Sequence, residues 1–364
     1  MVGNILVWMA AIVSSVLPSV APTRSSTSRL SRGASGEQFK KLAVSKELVV
    51  KAQLAITGRQ RIAVWPSDDP DCIAVASMTN SALLYAKNFL VADPATVASV
   101  VTGIVNPSAI SELERDKLAK QLSADWLVIC RKKESGERIA ELFQCKNHHC
   151  VLSETIEVST DSVNKIQMAC EKLSSSLKAN FGENAKESMK LPTTSKAALV
   201  EVAQGYQRIF ASVGFQDEAK RQMMAEDGLR LSQSALEKEP TFLQASLLQA
   251  SCLDVLDKDE DLKNAFTTGF KIRNSEKTDR LTMLEFEGDY ARYVLNDREQ
   301  AAAKYTAMLD IDPNHLRAHW SLIETALDEP VGQVDEATLM YAAENAAAII
   351  VAHPESPLSV ILEK

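Results

Sequence analysis

The stretch 281–324 constrains the fold of this chain more than any other. Asn296-Asp297 interrupts one apolar-periodic run, and Asp312-Pro313 ends the next. The pattern predicts helix, tight turn, helix, proline stop, helix. The Asp297 carboxylate can cap the second helix by accepting from its free amides. In that helix Ala301, Tyr305, Met308 and Leu309 recur at three- and four-residue steps, so they share one face. Small Ala301 lets a partner helix approach, and Tyr305 and Met308 fill the space beside it. Asp312-Pro313 stops the helix because proline lacks the amide and restricts the residue before it.

The same pattern occupies the whole carboxy-terminal half. FGENAKESMKLPTTS, residues 181–195, is polar, carries glycine and proline, and marks a domain boundary. Beyond it helices are expected in pairs: 196–210 with 217–240, 242–256 with 259–273, then the pair already described, then 315–327 with 336–352. Pro240, Pro313 and Pro354 close three of the pairs. Their separations suit a repeat of ~34 residues, once doubled and once lengthened by the loop EPVGQ. Ala301, Tyr305, Met308 and Pro313, followed by PNHLRAHWSL with Trp320, resemble the second helix of a tetratricopeptide repeat and the start of the next. Gly288 departs from that pattern, one place before the usual small residue. The resemblance implies an all-α solenoid of helical hairpins over 189–364. Such an array buries a continuous core only by stacking, and its curved side takes a protein or peptide.

Residues 1–21 are almost wholly apolar and carry no charged side chain. The run from Ile5 to Val16 has the length of a signal-peptide core, and Ser19-Val20-Ala21 resembles a small-x-small cleavage site. Pro22 after that site and the lack of a preceding Lys or Arg depart from the usual pattern. The run, broken by Pro18, falls short of the ~20 residues that span a bilayer. The Ser- and Arg-rich stretch 22–38 cannot bury a core and reads as a linker. Residues 1–38 are therefore expected to be a signal peptide or anchor with its linker, sending the chain to the periplasm or cell envelope. The basic residues after the apolar run argue the other way, since in an uncleaved anchor they would favour a tail facing the cytoplasm.

Residues 39–188 read as an α/β domain. RIAVWP (61–66), NFLVAD (88–93) and ADWLVICRK (124–132) are short apolar runs bounded by turn residues, so buried strands. Helical spacing places Ile73, Ala76, Ser77, Asn80, Leu83 and Leu84 on one face of 72–87. Ile110, Leu113, Leu118 and Leu122 mark the inner face of a charged helix at 109–122. ERIAELFQCK and CVLSETIEVS pair as a hairpin, and 161–181 closes the domain as an amphipathic helix. The strand RIAV, the strand FLVAD, Ala124-Asp125 before an apolar strand, and the hairpin resemble the domain shared by the amino-terminal part of TolB and the curli-secretion lipoprotein CsgG. That resemblance implies an α/β sandwich for envelope assembly and protein contacts, without catalytic residues. No cysteine follows the apolar leader, the first being Cys72, so the lipid attachment typical of the curli lipoprotein is not available.

Few residues suggest chemistry. Cys145 and Cys150 flank a four-residue turn and could form a disulfide if the chain is exported, or remain two free thiols. With His148 and His149 they could also ligate zinc, although adjacent histidines on a tight turn point apart. Cys72, Cys130, Cys170 and Cys252 sit in apolar contexts and read as core. His315 and His319, four apart on one helix, could share a metal but lack a third ligand. Asp68, Asp69 and Asp71 follow the first strand, where α/β proteins bind ligands, yet SDDPD also reads as a turn and helix cap. No phosphate-binding loop and no nucleophile elbow occur. The net charge of −8 and pI near 5.4 argue against nucleic acid as partner.

The expectation is an exported or membrane-tethered adaptor of the cell envelope, with no catalytic centre and no cofactor, whose repeats hold a protein or peptide. Two alternatives stand beside it. One is an enzyme using a small ligand or metal near Asp68–Asp71. The other is a membrane-anchored regulatory repeat protein in the cytoplasm.

Overall fold

A computed structural model of the chain describes Leu42 and residues 44–65, 69–86, 88–101, 110–146, 149–156, 163–180, 192–213, 217–273, 277–328 and 334–362. The leader and linker, together with Asp68 and His148, lie outside the described residues. An α/β region is followed by an array of helices.

The sheet has five strands: β1 (Gln60–Trp65), β2 (Phe89–Val91), β3 (Trp126–Lys132), β4 (Arg138–Gln144) and β5 (His149–Ile156), in the order β2-β1-β3-β4-β5. β1 is parallel to both β2 and β3, while β3, β4 and β5 form an antiparallel meander. Parallel neighbours require helical crossovers. Here they are α2 (Pro70–Leu83) between β1 and β2, then α3 (Pro94–Val101) and α4 (Glu112–Gln121) between β2 and β3. Ile62 and Val64 point to one face of the sheet, and Ala63 and Trp65 to the other, as strand alternation dictates. The first face is covered by α2 and by α5 (Val163–Asn180), which supplies Ile166, Cys170 and Leu173. The second is covered by Val97 of α3 and Leu118 and Leu122 at α4. Asp125 ties β1 to the start of β3. Its carboxylate accepts from the Arg61 amide at 2.8 Å, and its own amide donates to the Arg61 carbonyl at 2.9 Å.

The helices after the sheet are α6 (Lys196–Val213), α7 (Glu218–Lys238), α8 (Leu243–Val255), α9 (Asp259–Ile272), α10 (Arg280–Tyr290), α11 (Arg298–Ile311), α12 (Leu316–Leu327), α13 (Glu336–Ala352) and α14 (Pro357–Leu362). Each packs on its neighbours in sequence, and α8 also packs on α6 and α10. Asp217, Asp279, Asp297 and Asp335 cap α7, α10, α11 and α13 through their carboxylates. Ala301, Tyr305 and Met308 are fully buried, Trp320 nearly so, and Pro313 is exposed at the chain stop. Gly288 has a steric reason. A Cβ there would lie 2.6 Å from the Tyr305 ring, so only glycine admits the ring against α10. Gly269 admits the Phe286 ring in the same way, at 2.5 Å. A one-turn π-helix, Ala291–Leu295, follows α10 and ends at left-handed Asn296. It carries Arg292 inward, where the guanidinium meets Glu324 of α12 at 2.6 Å.

The helices curve round the sheet. α2 and α3 pack on α6, and one apolar core runs from β1 through α5 into α6, α7 and α8. At the other end Arg61 of β1 pairs with Glu355. The stretch 39–57, which the sequence reading placed within the α/β domain, forms α1 (Lys46–Ala55) and packs on α13 of the array. Among the described residues no helix is long and apolar enough to cross a membrane.

Candidate functional site

Between the sheet region and the inner side of the array lies a cavity of about 850 Å³. Alternate helices of the array build one wall. Tyr206 of α6, Gln244 of α8, Thr282 of α10 and Trp320 of α12 all line it. The Tyr206 hydroxyl donates to the Gln244 carbonyl at 3.3 Å, and the Gln244 amide donates to Thr282 Oγ1 at 3.4 Å, each step covering 38 residues. Trp320 stands one further such step along. Successive members of this row are 38 residues apart, against the ~34 expected from sequence. The opposite wall is α2, through Ile73, Ala76, Ser77, Asn80 and Ser81. The polar members of that stripe, Ser77 and Asn80, face the cavity and not a dry core.

Three charged groups meet on the array side. Arg317 Nη2 lies 3.5 Å from Asp289, and its Nε lies 3.7 Å from Glu285. Asp289 also accepts from the Tyr305 hydroxyl at 2.7 Å. The Glu285 and Arg317 side chains keep 29% and 34% of their surface accessible, and both line the cavity. Burial raises the Glu285 carboxyl above the usual carboxylate range; Arg317 opposes the shift, and Asp289 and Asp279 add to it. At one rim Asp279 accepts from the Tyr85 hydroxyl at 3.1 Å, which in turn accepts from the Leu281 amide at 3.2 Å.

Another part of the wall is histidine-rich. The His315 Nδ1 accepts from the Ala318 amide at 3.3 Å, so that nitrogen carries no proton, and burial holds the ring down to about 3. His353 Nε2 donates to the Asn314 carbonyl at 2.7 Å; burial lowers this ring to about 4. Its Nδ1 faces Glu355 at 3.9 Å, and burial pushes that carboxyl up to about 7 while Arg61 pulls it down. His319 does not face His315 across a metal. Its ring nitrogens lie 2.8 Å from Asn345 Oδ1 and 3.0 Å from the Pro313 carbonyl, both acceptors. A neutral ring can donate to only one of them. Among the described residues no group of three or more His, Cys, Asp or Glu side chains is arranged to hold a metal ion.

The remaining sequence candidates are dispersed. Cys145 and Cys150 are free thiols. The strand register sets Cys150 opposite Phe143, beside an irregularity at Leu142/Phe143, so the two cysteines are not a facing pair. The Cys150 thiol donates to the Leu152 carbonyl at 3.3 Å. Asp69 caps α2, accepting from the Asp71 and Cys72 amides, and pairs with Arg138 at 2.7 Å. Asp71 pairs with Arg138 and with Lys196 of α6. The chain's own cations thus pair with Asp69 and Asp71, where a small ligand or metal was the alternative to a turn and helix cap. Sequence reading missed Glu285, Asp289 and Arg317. The available signal was a pair of like charges four residues apart, which destabilises a helix unless a cation sits between them.

No protein-family model matches the chain, and no curated protein matches it.

Proposed function

We propose that this is a non-enzymatic binding protein: a TolB- and CsgG-like sheet region seated in the concave side of a tetratricopeptide-like array, with the cavity between them as its ligand site. The observation that carries the reading is the cavity itself. At about 850 Å³ it falls within the size range of ligand sites, and it joins apolar walls to a few convergent polar groups. The 38-residue ladder and the Gly288–Tyr305 seam support the repeat assignment, and the parallel start and antiparallel finish of the sheet support the other. A long peptide groove would need the space that α2 and α3 occupy. The occupant is therefore a compact molecule or the end of a partner's chain. On this reading the apolar stretch 1–21 delivers the protein to the cell envelope, which cell fractionation tests.

Cavity filling tests the site. Ser77 projects from α2 into the cavity, so Ser77→Trp should occupy it. The neutral dye Nile red should bind the full chain saturably and fail to bind the variant, which keeps its thermal midpoint. Equal uptake by both proteins would sink the reading.

A further inference from the structure

The cavity wall is unbalanced in charge, and this selects a ligand class. Among the described residues six carboxylates line it against two guanidiniums. Much of that acid is already engaged, Asp279 by its helix cap and Tyr85. Glu285 is not. Within its reach are Arg317, shared with Asp289, and two further carboxylates, Asp289 and Asp279. One guanidinium at 3.5 and 3.7 Å serves two carboxylates, and both contacts exceed hydrogen-bond length. Arg317 Nε accordingly has no hydrogen-bond partner. Apolar surface lines the same cavity: Leu247, Leu262 and Phe266 from the array and Ile73 and Leu84 from the sheet side. Elsewhere on the wall Asn314, only 8% exposed, leaves its Nδ2 without an acceptor. A half-open cavity with an unfilled donor, and with two carboxylates that share one guanidinium, leaves polar groups for an occupant to complete.

We infer that the cavity binds a ligand with an apolar body and a single cationic head, an ammonium or guanidinium, seated against Glu285 and Asp289. This rests on the cavity being the binding site. The cation would supply a second positive charge beside Glu285 and form charge-assisted hydrogen bonds, which are stronger in a partly desolvated site than in water. A carboxylate of the same shape would meet the acidic wall and be rejected.

Three probes of near-equal shape separate the possibilities: 3-phenylpropylamine, 3-phenylpropanol and 3-phenylpropionate, titrated calorimetrically into the full chain. The amine should bind about tenfold or more tightly than the alcohol, as one charge-assisted hydrogen bond implies, and the acid weakest of all. Glu285→Gln should remove the amine's advantage over the alcohol, and an unchanged far-ultraviolet circular dichroism spectrum and thermal midpoint would show that the variant is folded. Equal binding of all three, or preference for the acid, overturns this inference and leaves the cavity reading standing. Binding by none overturns both.

Discussion

At one end of the array, α6 meets the sheet region through Leu199 and Val202, buried in the same core as Ile62, Val64 and Ile166. At the other end, the segment after α13 meets β1 through Arg61 and Glu355, a 2.7 Å ion pair with side chains 9% and 1% exposed. The first junction is apolar and non-directional. The second depends on charge, geometry and protonation. Apolar surface tolerates small shifts of its partners, whereas a dry ion pair is favourable only when intact, since each ion left alone bears its full desolvation cost. The two ends therefore differ in how they can fail. The apolar end weakens by degrees, and the polar end opens at once, beside the cavity wall that carries His353.

Breaking the polar end gives the largest expected effect. Arg61→Ala leaves Glu355 buried without its partner and should cost about 3–5 kcal/mol in urea unfolding. The double variant Arg61→Met/Glu355→Leu removes both charges and should lie within about 1 kcal/mol of the parent, or above it. If the double variant is as weak as Arg61→Ala, the contact is not dominated by charge. At the apolar end Leu199→Ala should cost about 3 kcal/mol through lost burial and a residual cavity, with no comparable rescue by a second substitution.

Apolar packing was legible in sequence and the polar junction was not. Ala301, Tyr305 and Met308 announced an inward face by their spacing, and the alternation of β1 announced two covered faces. Spacing reports that a face is covered, not what covers it. The α2 stripe is a case in point: Ile73, Ala76, Ser77 and Asn80 were readable as one face, yet they border a cavity. Arg61 and Glu355 are 294 residues apart, and nothing local distinguishes them from solvated charges. Glu285, Asp289 and Arg317 were equally silent, because a charged residue on a helix is ordinarily at the surface.

Acid should sharpen the contrast by about 2 kcal/mol. His353 and His315 are held neutral in the fold down to about 4 and about 3, below the usual 6.5. The unfolded chain binds their protons first, so their contribution is full above 6.5 and declines as the pH falls towards 4. Glu355 runs the opposite way. Raised to about 7, it takes up a proton in the fold before the unfolded chain does, so its contribution is present below 4.5 and is lost as the pH rises through 7. Between 4.5 and 6.5 the two trends oppose each other. Arg61→Met/Glu355→Leu removes the opposing one. Its stability should fall more steeply on acidification than the parent's, by up to about 1.4 kcal/mol per pH unit. Parallel curves at pH 7, 6 and 5 would show that Glu355 does not titrate in this window.

The smallest effect belongs to the bridge between the two ends. The Tyr85 hydroxyl donates to Asp279 and accepts from the Leu281 amide, one of the four amides that a helix start leaves without internal partners. Tyr85→Phe leaves that amide and one lobe of the Asp279 carboxylate to water. Because this rim is partly open, solvent can replace most of what is lost, and the cost should be about 1 kcal/mol. The change should be local: faster amide exchange in the first turn of α10, with α6 and α13 unaffected. Faster exchange throughout the array would mean that Tyr85, and not the junctions at the two ends, governs how the helices hold the sheet.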